Sequence, residues 1–347
     1  MKYTAIIPKG INEPKRQRLL VVCVAAALVL TSVLVFQTMR SVRTLESTQQ
    51  ALVSTGSQTS IEKNGSPLVK EDELTDGMAK IAFNRDDGVY LYNARTKESK
   101  YVVKGYEPDI SPAGDTIAFT VDRDASLKNR TIQLYDLRTH TVREFQSLAK
   151  LNSRQPRWSH DGTKIAFDVI SDRRNHVGIL DVATGEWEDI TKGLVFNDPI
   201  GLYLNSWAFD DQELLCHDLS AIYEISPTGA VLNRIPINNV VPSGDVASSI
   251  RFQFSQDKKL LLFDGARNPE NTPIYLFNLA DQKLRRVTPE TVDGSEPIWL
   301  PSQNAIMFSR GRNDASGYVS DLCTISLETG KVITIIKDAS SGSYSTR

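Results

Sequence analysis

Residues 154–191 read RQPRWSHDGTKIAFDVISDRRNHVGILDVATGEWEDIT. A Pro and a Trp lead in, and a polar turn follows at Ser159, His160, Asp161 and Gly162. Ile165, Ala166 and Phe167 make a short apolar strand. A charged loop separates it from a second strand (Val177, Ile179, Leu180), and a turn at Gly185 leads to a third. Short apolar runs bounded by turn residues read as strands. The stretch is one small antiparallel sheet, with strands a (the lead-in), b, c and d.

The sheet recurs. Its b-strand triplets are Ile81-Ala82-Phe83, Ile117-Ala118-Phe119, Ile165-Ala166-Phe167, Leu214-Leu215-Cys216, Leu261-Leu262-Phe263 and Ile306-Met307-Phe308. They end at 83, 119, 167, 216, 263 and 308, so the steps are 36, 48, 49, 47 and 45. The lead-in recurs as EPDISPAGD at Glu107, QPRWSHDG at Gln155, NSWAFDDQ at Asn205, RFQFSQDK at Arg251 and EPIWLPSQN at Glu296. Each c strand ends in hairpin chemistry: VYLYNARTKE, IQLYDLRTHT, VGILDVATGE, IYEISPTGAV, IYLFNLADQK and LCTISLETGK. Asn, Asp and Ser there bond their own main chain, and Gly takes positive φ.

A repeat in the forties with four strands per unit predicts propeller blades. One blade cannot bury both faces; a ring of blades buries them against each other. The expectation is an all-β, six-bladed β-propeller over 80–337, with a C-terminal tail at 338–347. The first unit lacks a lead-in, so its fourth strand is either borrowed from Ser66–Asp72 or missing.

P-x-x-S-x-D-G-x-x-I-A-F followed by I-x-x-x-D-x-x-T-G resembles the TolB-type, WD40-like (PD40) propeller repeat. The match is fullest at Pro156–Gly185; Pro108–Phe119 and Pro297–Gly330 keep parts of it. The resemblance implies the fold and leaves function open, since one fold hosts many activities. The TolB N-terminal α/β domain has no counterpart here, and no G-x-S-x-G marks a hydrolase.

Leu19–Phe36, LLVVCVAAALVLTSVLVF, carries no charge. That length suits a membrane-spanning helix. Lys15, Arg16 and Arg18 precede it, which places the N-terminus in the cytoplasm. No small-x-small cleavage site follows, so an anchor is favoured over a signal peptide. The expected order is a cytoplasmic tail (1–18), one transmembrane helix (19–38), a flexible stalk (39–79) and an extracytoplasmic propeller, at a bacterial inner membrane. Net charge is −2, which gives no basic excess for nucleic acid. Cys216 and Cys323 read as buried free thiols, with a Cys216–Cys323 disulfide the alternative if the fold brings them together.

The b–c loops supply the binding candidates: Arg85, Arg123, Asp172, Arg173, Arg174, Arg267, Arg310 and Arg312. Propeller geometry gathers these loops on one face, and arginine forks suit carboxylates, phosphates and protein interfaces. Asp168, His217 and Asp264 each follow a triplet and are the channel candidates for a metal or ligand. No catalytic residue, metal or cofactor is assigned. Ser159–Gly162, which resembles a sialidase Asp box, reads as a turn in which Asp161 caps amides and Gly162 takes positive φ. The expected function is a binding scaffold of a cell-envelope complex, engaging an envelope protein or polymer. The alternative is a carbohydrate-active lyase or hydrolase with its site in the channel.

Overall fold

The computed structural model describes residues 77–347 apart from 126–128, 172, 197–199, 242–246, 266–270 and 316. The expected membrane helix at 19–38 and residues 39–76 of the expected stalk lie outside the described residues, as do Asp172 and Arg267. No helix among the described residues is long and apolar enough to cross a membrane.

Six four-stranded antiparallel sheets form the blades. Blade 1 holds β1 (Lys80–Arg85), β2 (Gly88–Asn93) and β3 (Glu98–Lys104). Blade 2 holds β4 (Tyr106–Ile110), β5 (Thr116–Asp122), β6 (Arg130–Asp136) and β7 (Thr141–Arg143). Blade 3 holds β8 (Asn152–Trp158), β9 (Lys164–Ser171), β10 (Arg174–Asp181) and β11 (Trp187–Asp189). Blade 4 holds β12 (Tyr203–Trp207), β13 (Leu214–His217), β14 (Ala221–Ile225) and β15 (Val231–Pro236). Blade 5 holds β16 (Phe252–Phe254), β17 (Leu260–Asp264), β18 (Ile274–Asn278) and β19 (Leu284–Arg286). Blade 6 holds β20 (Asp293–Trp299), β21 (Ala305–Asp314), β22 (Gly317–Ser326) and β23 (Val332–Ile336).

The fourth strand of blade 1 is β24 (Ser340–Ser345), which pairs antiparallel with β1, Lys80 opposite Ser345 and Ala82 opposite Ser343. This corrects the expected tail at 338–347: that stretch closes the ring. Tyr344 opposite Ile81 gives it one large side chain.

The triplets explain why the blades pack. No residue of the six is more than 1% exposed. Successive strand residues point to opposite faces, so the first and third side chains meet one neighbouring blade and the middle one meets the other. Six clusters show this around the whole ring. Ala82 packs with Ile117 and Phe119, Ala118 with Ile165 and Phe167, and Ala166 with Leu214 and Cys216. Leu215 packs with Leu261 and Phe263, Leu262 with Ile306 and Phe308, and Met307 with Ile81 and Phe83. Each fully buried large side chain contributes about 1.5–3 kcal/mol.

The c–d turns follow their expected chemistry. Asn93, Asp136 and Asn278 each accept two backbone N–H bonds from the turn that follows. Asp161 accepts from Thr163 N at 2.9 Å and Gly162 has φ 72°, so Ser159–Gly162 is a turn. Cys216 and Cys323 are buried free thiols.

Candidate functional site

The inner strands carry a local irregularity that shapes the axis. Five of them break register against their partner, at Ala82/Asn84, Tyr106/Asp109, Arg154/Arg157, Leu204/Ser206 and Ser295/Ile298. Four hold a non-glycine residue at positive φ there: Glu107 (54°), Gln155 (53°), Glu296 (54°) and Ser341 (51°). A bulge frees backbone N–H groups from the ladder, and a buried N–H needs an acceptor.

The residue after five of the triplets supplies it to the next blade, and in blade 4 Asn205, held by His217, does so. Asn84 Oδ1 accepts from Glu107 N at 2.9 Å, and Thr120 Oγ1 from Gln155 N at 3.1 Å. Asp168 Oδ1 accepts from Leu204 N at 2.9 Å. His217 Nδ1 takes the Asn205 amide at 2.9 Å, whose Oδ1 accepts from Phe252 N at 3.2 Å. Asp264 accepts from Arg251 N at 2.7 Å and from Glu296 N at 3.0 Å. Ser309 Oγ accepts from Ser341 N at 3.2 Å.

The three channel candidates are therefore members of one ring of blade-to-blade clamps. Asp168, His217 and Asp264 are 2%, 0% and 4% exposed. Burial pushes the Asp168 carboxyl up to about 7 and that of Asp264 up to about 6, against the backbone N–H bonds that pull both down. Among the described residues, no group of three or more His, Cys, Asp or Glu side chains is placed to hold one metal ion.

Inside this ring lies a cavity of 420 Å³, walled by the inner strands of all six blades. Its mouth is formed by a–b turn residues, among them Pro112, His160, Phe209, Gln256 and Gln303. His160 sits 4.9 Å from the Phe209 ring, and its Nδ1 is 2.9 Å from Asp211. The wall residues bind one another. Asp109 Oδ2 accepts from Trp158 N at 2.6 Å, and Trp158 Nε1 donates to Asp109 O at 3.0 Å. Trp207 Nε1 donates to Arg157 O at 2.9 Å, and Tyr344 Oη to Trp299 O at 2.8 Å. Glu296 takes Arg251 at 3.2 Å and the Ser341 hydroxyl at 3.0 Å. Enclosure pushes the Asp109 carboxyl up to about 7.

The b–c end is different. Arg85 donates to Lys337 O at 2.9 Å and Asp338 O at 3.1 Å, binding blade 1 to the chain entering β24. Arg123 donates to Leu148 O at 2.6 Å and Leu151 O at 3.0 Å. Arg310 and Arg312 both reach the buried Asp321 carboxylate at 3.0 Å, and Arg312 also holds Asp314 and Asp338. Arg173 (φ 64°) and Arg174 are exposed, and among the described residues neither side chain has a polar partner. The sequence missed the cavity wall. The position opposite each triplet's middle residue was its only signal.

The sequence matches no family model and no curated protein. Solved structures do match. TolB from Acinetobacter baumannii is similar at 16% identity over 78% of this chain and 68% of that one, with a TM-score of 0.58. Putative TolB from Agrobacterium tumefaciens is similar at 15% identity over 77% and 93%, with a TM-score of 0.52. An oligogalacturonate lyase in complex with manganese matches at 15% identity over 76% and 75%, with a TM-score of 0.48. The described body of this chain is a TolB-like, six-bladed β-propeller.

Proposed function

We propose that this protein is a binding scaffold of a bacterial cell envelope, tethered to the inner membrane through residues 19–38, whose propeller captures a segment of an envelope protein. The preformed 420 Å³ cavity, walled by six blades, carries the reading. Concave sites with apolar walls and few polar groups are where ligands bind. The wall carboxylates support binding over catalysis. Glu296, Glu107 and Asp109 each already accept hydrogen bonds from neighbouring blades. What the wall offers an incoming group is shape and the edges of Trp158, Trp207 and Trp299, with the Gln256 side chain at the mouth.

The test is crosslinking and pull-down of the tagged full chain from solubilised membranes. A specific envelope protein is expected, lost when Phe209→Asp charges the mouth. Arg173→Ala with Arg174→Ala asks whether the b–c end contributes. Recovery of no partner, together with turnover on a panel of glycans, would replace the scaffold with a carbohydrate-active enzyme.

A further inference from the structure

Six residues stand opposite the middle residues of the triplets: Asp109, Arg157, Ser206, Gln253, Ile298 and Ser343. Residues directly opposite on an antiparallel pair share a face. The middle triplet residue packs against the following blade, so these six side chains face that blade too, at the cavity wall.

Four of them do the same work. Asp109 accepts from Trp158 N at 2.6 Å and Ser343 Oγ from Ile110 N at 3.0 Å. Gln253 Oε1 accepts from Trp299 N at 3.0 Å, and Ser206 Oγ donates to Phe252 O at 3.1 Å. Each therefore ties its blade to the next. Ile298 packs in the apolar cluster between blades 6 and 1.

Arg157 departs from the pattern. Its backbone carbonyl takes the Trp207 indole N–H, as the ring requires, but its side chain binds no residue of blade 4. Among the described residues, the one hydrogen bond of its guanidinium is from Nη1 to the adjacent Pro156 carbonyl, at 2.8 Å. Among the described residues no carboxylate lies within ion-pair distance of it. Arg251, also on the wall, is paired with Glu296. Asp109, on the neighbouring strand, is turned to Trp158 N. A guanidinium carries five N–H donors in a planar fork. Arg157 thus brings a cation with donors to spare into a cavity whose wall carboxylates Glu107, Asp109 and Glu296 already have partners. A place where the local rule fails while its five neighbours obey a structural logic is where a site is expected.

We infer that Arg157 is an anion subsite of the axial cavity, taking the carboxylate of a ligand whose apolar body lies against Trp207 and Phe209. The inference rests on the reading of the cavity as a binding site and names the chemistry it selects. Arginine holds a carboxylate through two parallel N–H bonds, and in an enclosed site such bonds are strong. For the captured protein segment, this means an acidic side chain or a chain terminus.

The probe is N-acetylphenylalanine against N-acetylphenylalanine amide, which differ in the anion alone. Binding to the purified full chain is read by tryptophan fluorescence, since Trp158, Trp207 and Trp299 all line the cavity. The acid is expected to bind at least about tenfold tighter than the amide, the size of one charge-assisted bond. Arg157→Gln should erase that difference with the melting temperature unchanged, and Arg157→Lys should keep part of it. Inorganic phosphate is the second arm. Displacement of the acid by phosphate at equal concentration makes the subsite a general anion site and overturns the carboxylate assignment. Equal binding of acid and amide, no binding of the acid at 10 mM (about the weakest affinity worth a site), or discrimination surviving in Arg157→Gln overturns the subsite itself. None of these results depends on the membrane pull-down. Loss of the subsite and loss of the scaffold reading are thus separate outcomes.

Discussion

At the b–c end of the ring, Arg85, Arg123, Arg310 and Arg312 reach sideways to carbonyls and carboxylates of their own chain. Along the axis, Asn84, Thr120, Asp168, Asp264 and Ser309 reach forward to the backbone of the next blade. Both regions are rich in polar side chains, and both resemble binding surfaces when only residue types are known. Thr120, Asp168, Asp264 and Ser309 are buried, whereas the four arginines are half-buried. A hydrogen bond lost at a buried clamp leaves an N–H without its acceptor, whereas solvent reaches part of what an arginine leaves behind. Polar density therefore says little about availability to a ligand. What matters is whether a side chain's bonds are already made, and by that measure Arg157, Arg173 and Arg174 stand apart.

The difference can be broken most directly at Asp264. Asp264→Ala leaves Arg251 N and Glu296 N buried without an acceptor, at about 1–3 kcal/mol for each. Urea denaturation should show that loss, and Asp264→Asn, which keeps one acceptor, should show about half. A cost no larger than that of an exposed arginine would mean the ring of clamps is dispensable.

A second handle is pH. Asp168 and Asp264 have folded-state values of about 7 and about 6, above the ordinary 3.8. The folded protein then binds protons more tightly than the unfolded chain, so stability falls as pH rises from about 4 to about 7 and levels off above. Denaturation midpoints at pH 5 and pH 8 measure the slope. Asp168→Asn, which retains an acceptor for Leu204 N, should flatten it. A midpoint that rises over this range would reverse the electrostatics assigned to the axis.

Arg123→Ala is expected to cost less, about 1–2 kcal/mol, because solvent can reach part of what it leaves behind. Smallest of all, Arg174→Ala should leave the melting temperature unchanged. Any effect it has belongs to partner capture, and a large drop in stability would sharpen the comparison by moving Arg174 among the tethers.

The blades were legible in the sequence because burial on two faces demands apolar side chains at fixed spacing. Every triplet read as a strand is one, and the turn at Ser159–Gly162 has the geometry its residues demand. The closing strand was not legible. Ser340–Ser345 reads SSGSYS, with no alternation. A Cβ on Gly342 would lie 2.9 Å from the Leu322 and Met307 side chains, so the packing there calls for a small residue and suppresses the signal. The clamps were half legible. Asp168, His217 and Asp264 stood out as channel candidates, but a role shared with Asn84, Thr120 and Ser309 is hidden because five residue types answer one need. Any acceptor serves a backbone N–H. The partners of Arg85 lie more than 250 positions away along the chain, and no local pattern reports them.

The pairing of β1 with β24 has a kinetic side. Lys80 meets Ser345 across nearly the whole described chain. Joining the ends of so long a segment costs loop-closure entropy that only the finished array of blades offsets. Contacts of such separation form slowly. The β1–β24 pairing within blade 1 is thus the expected late event in folding. Until it forms, blade 1 presents a bare inner edge, the kind of unpaired edge that recruits foreign strands.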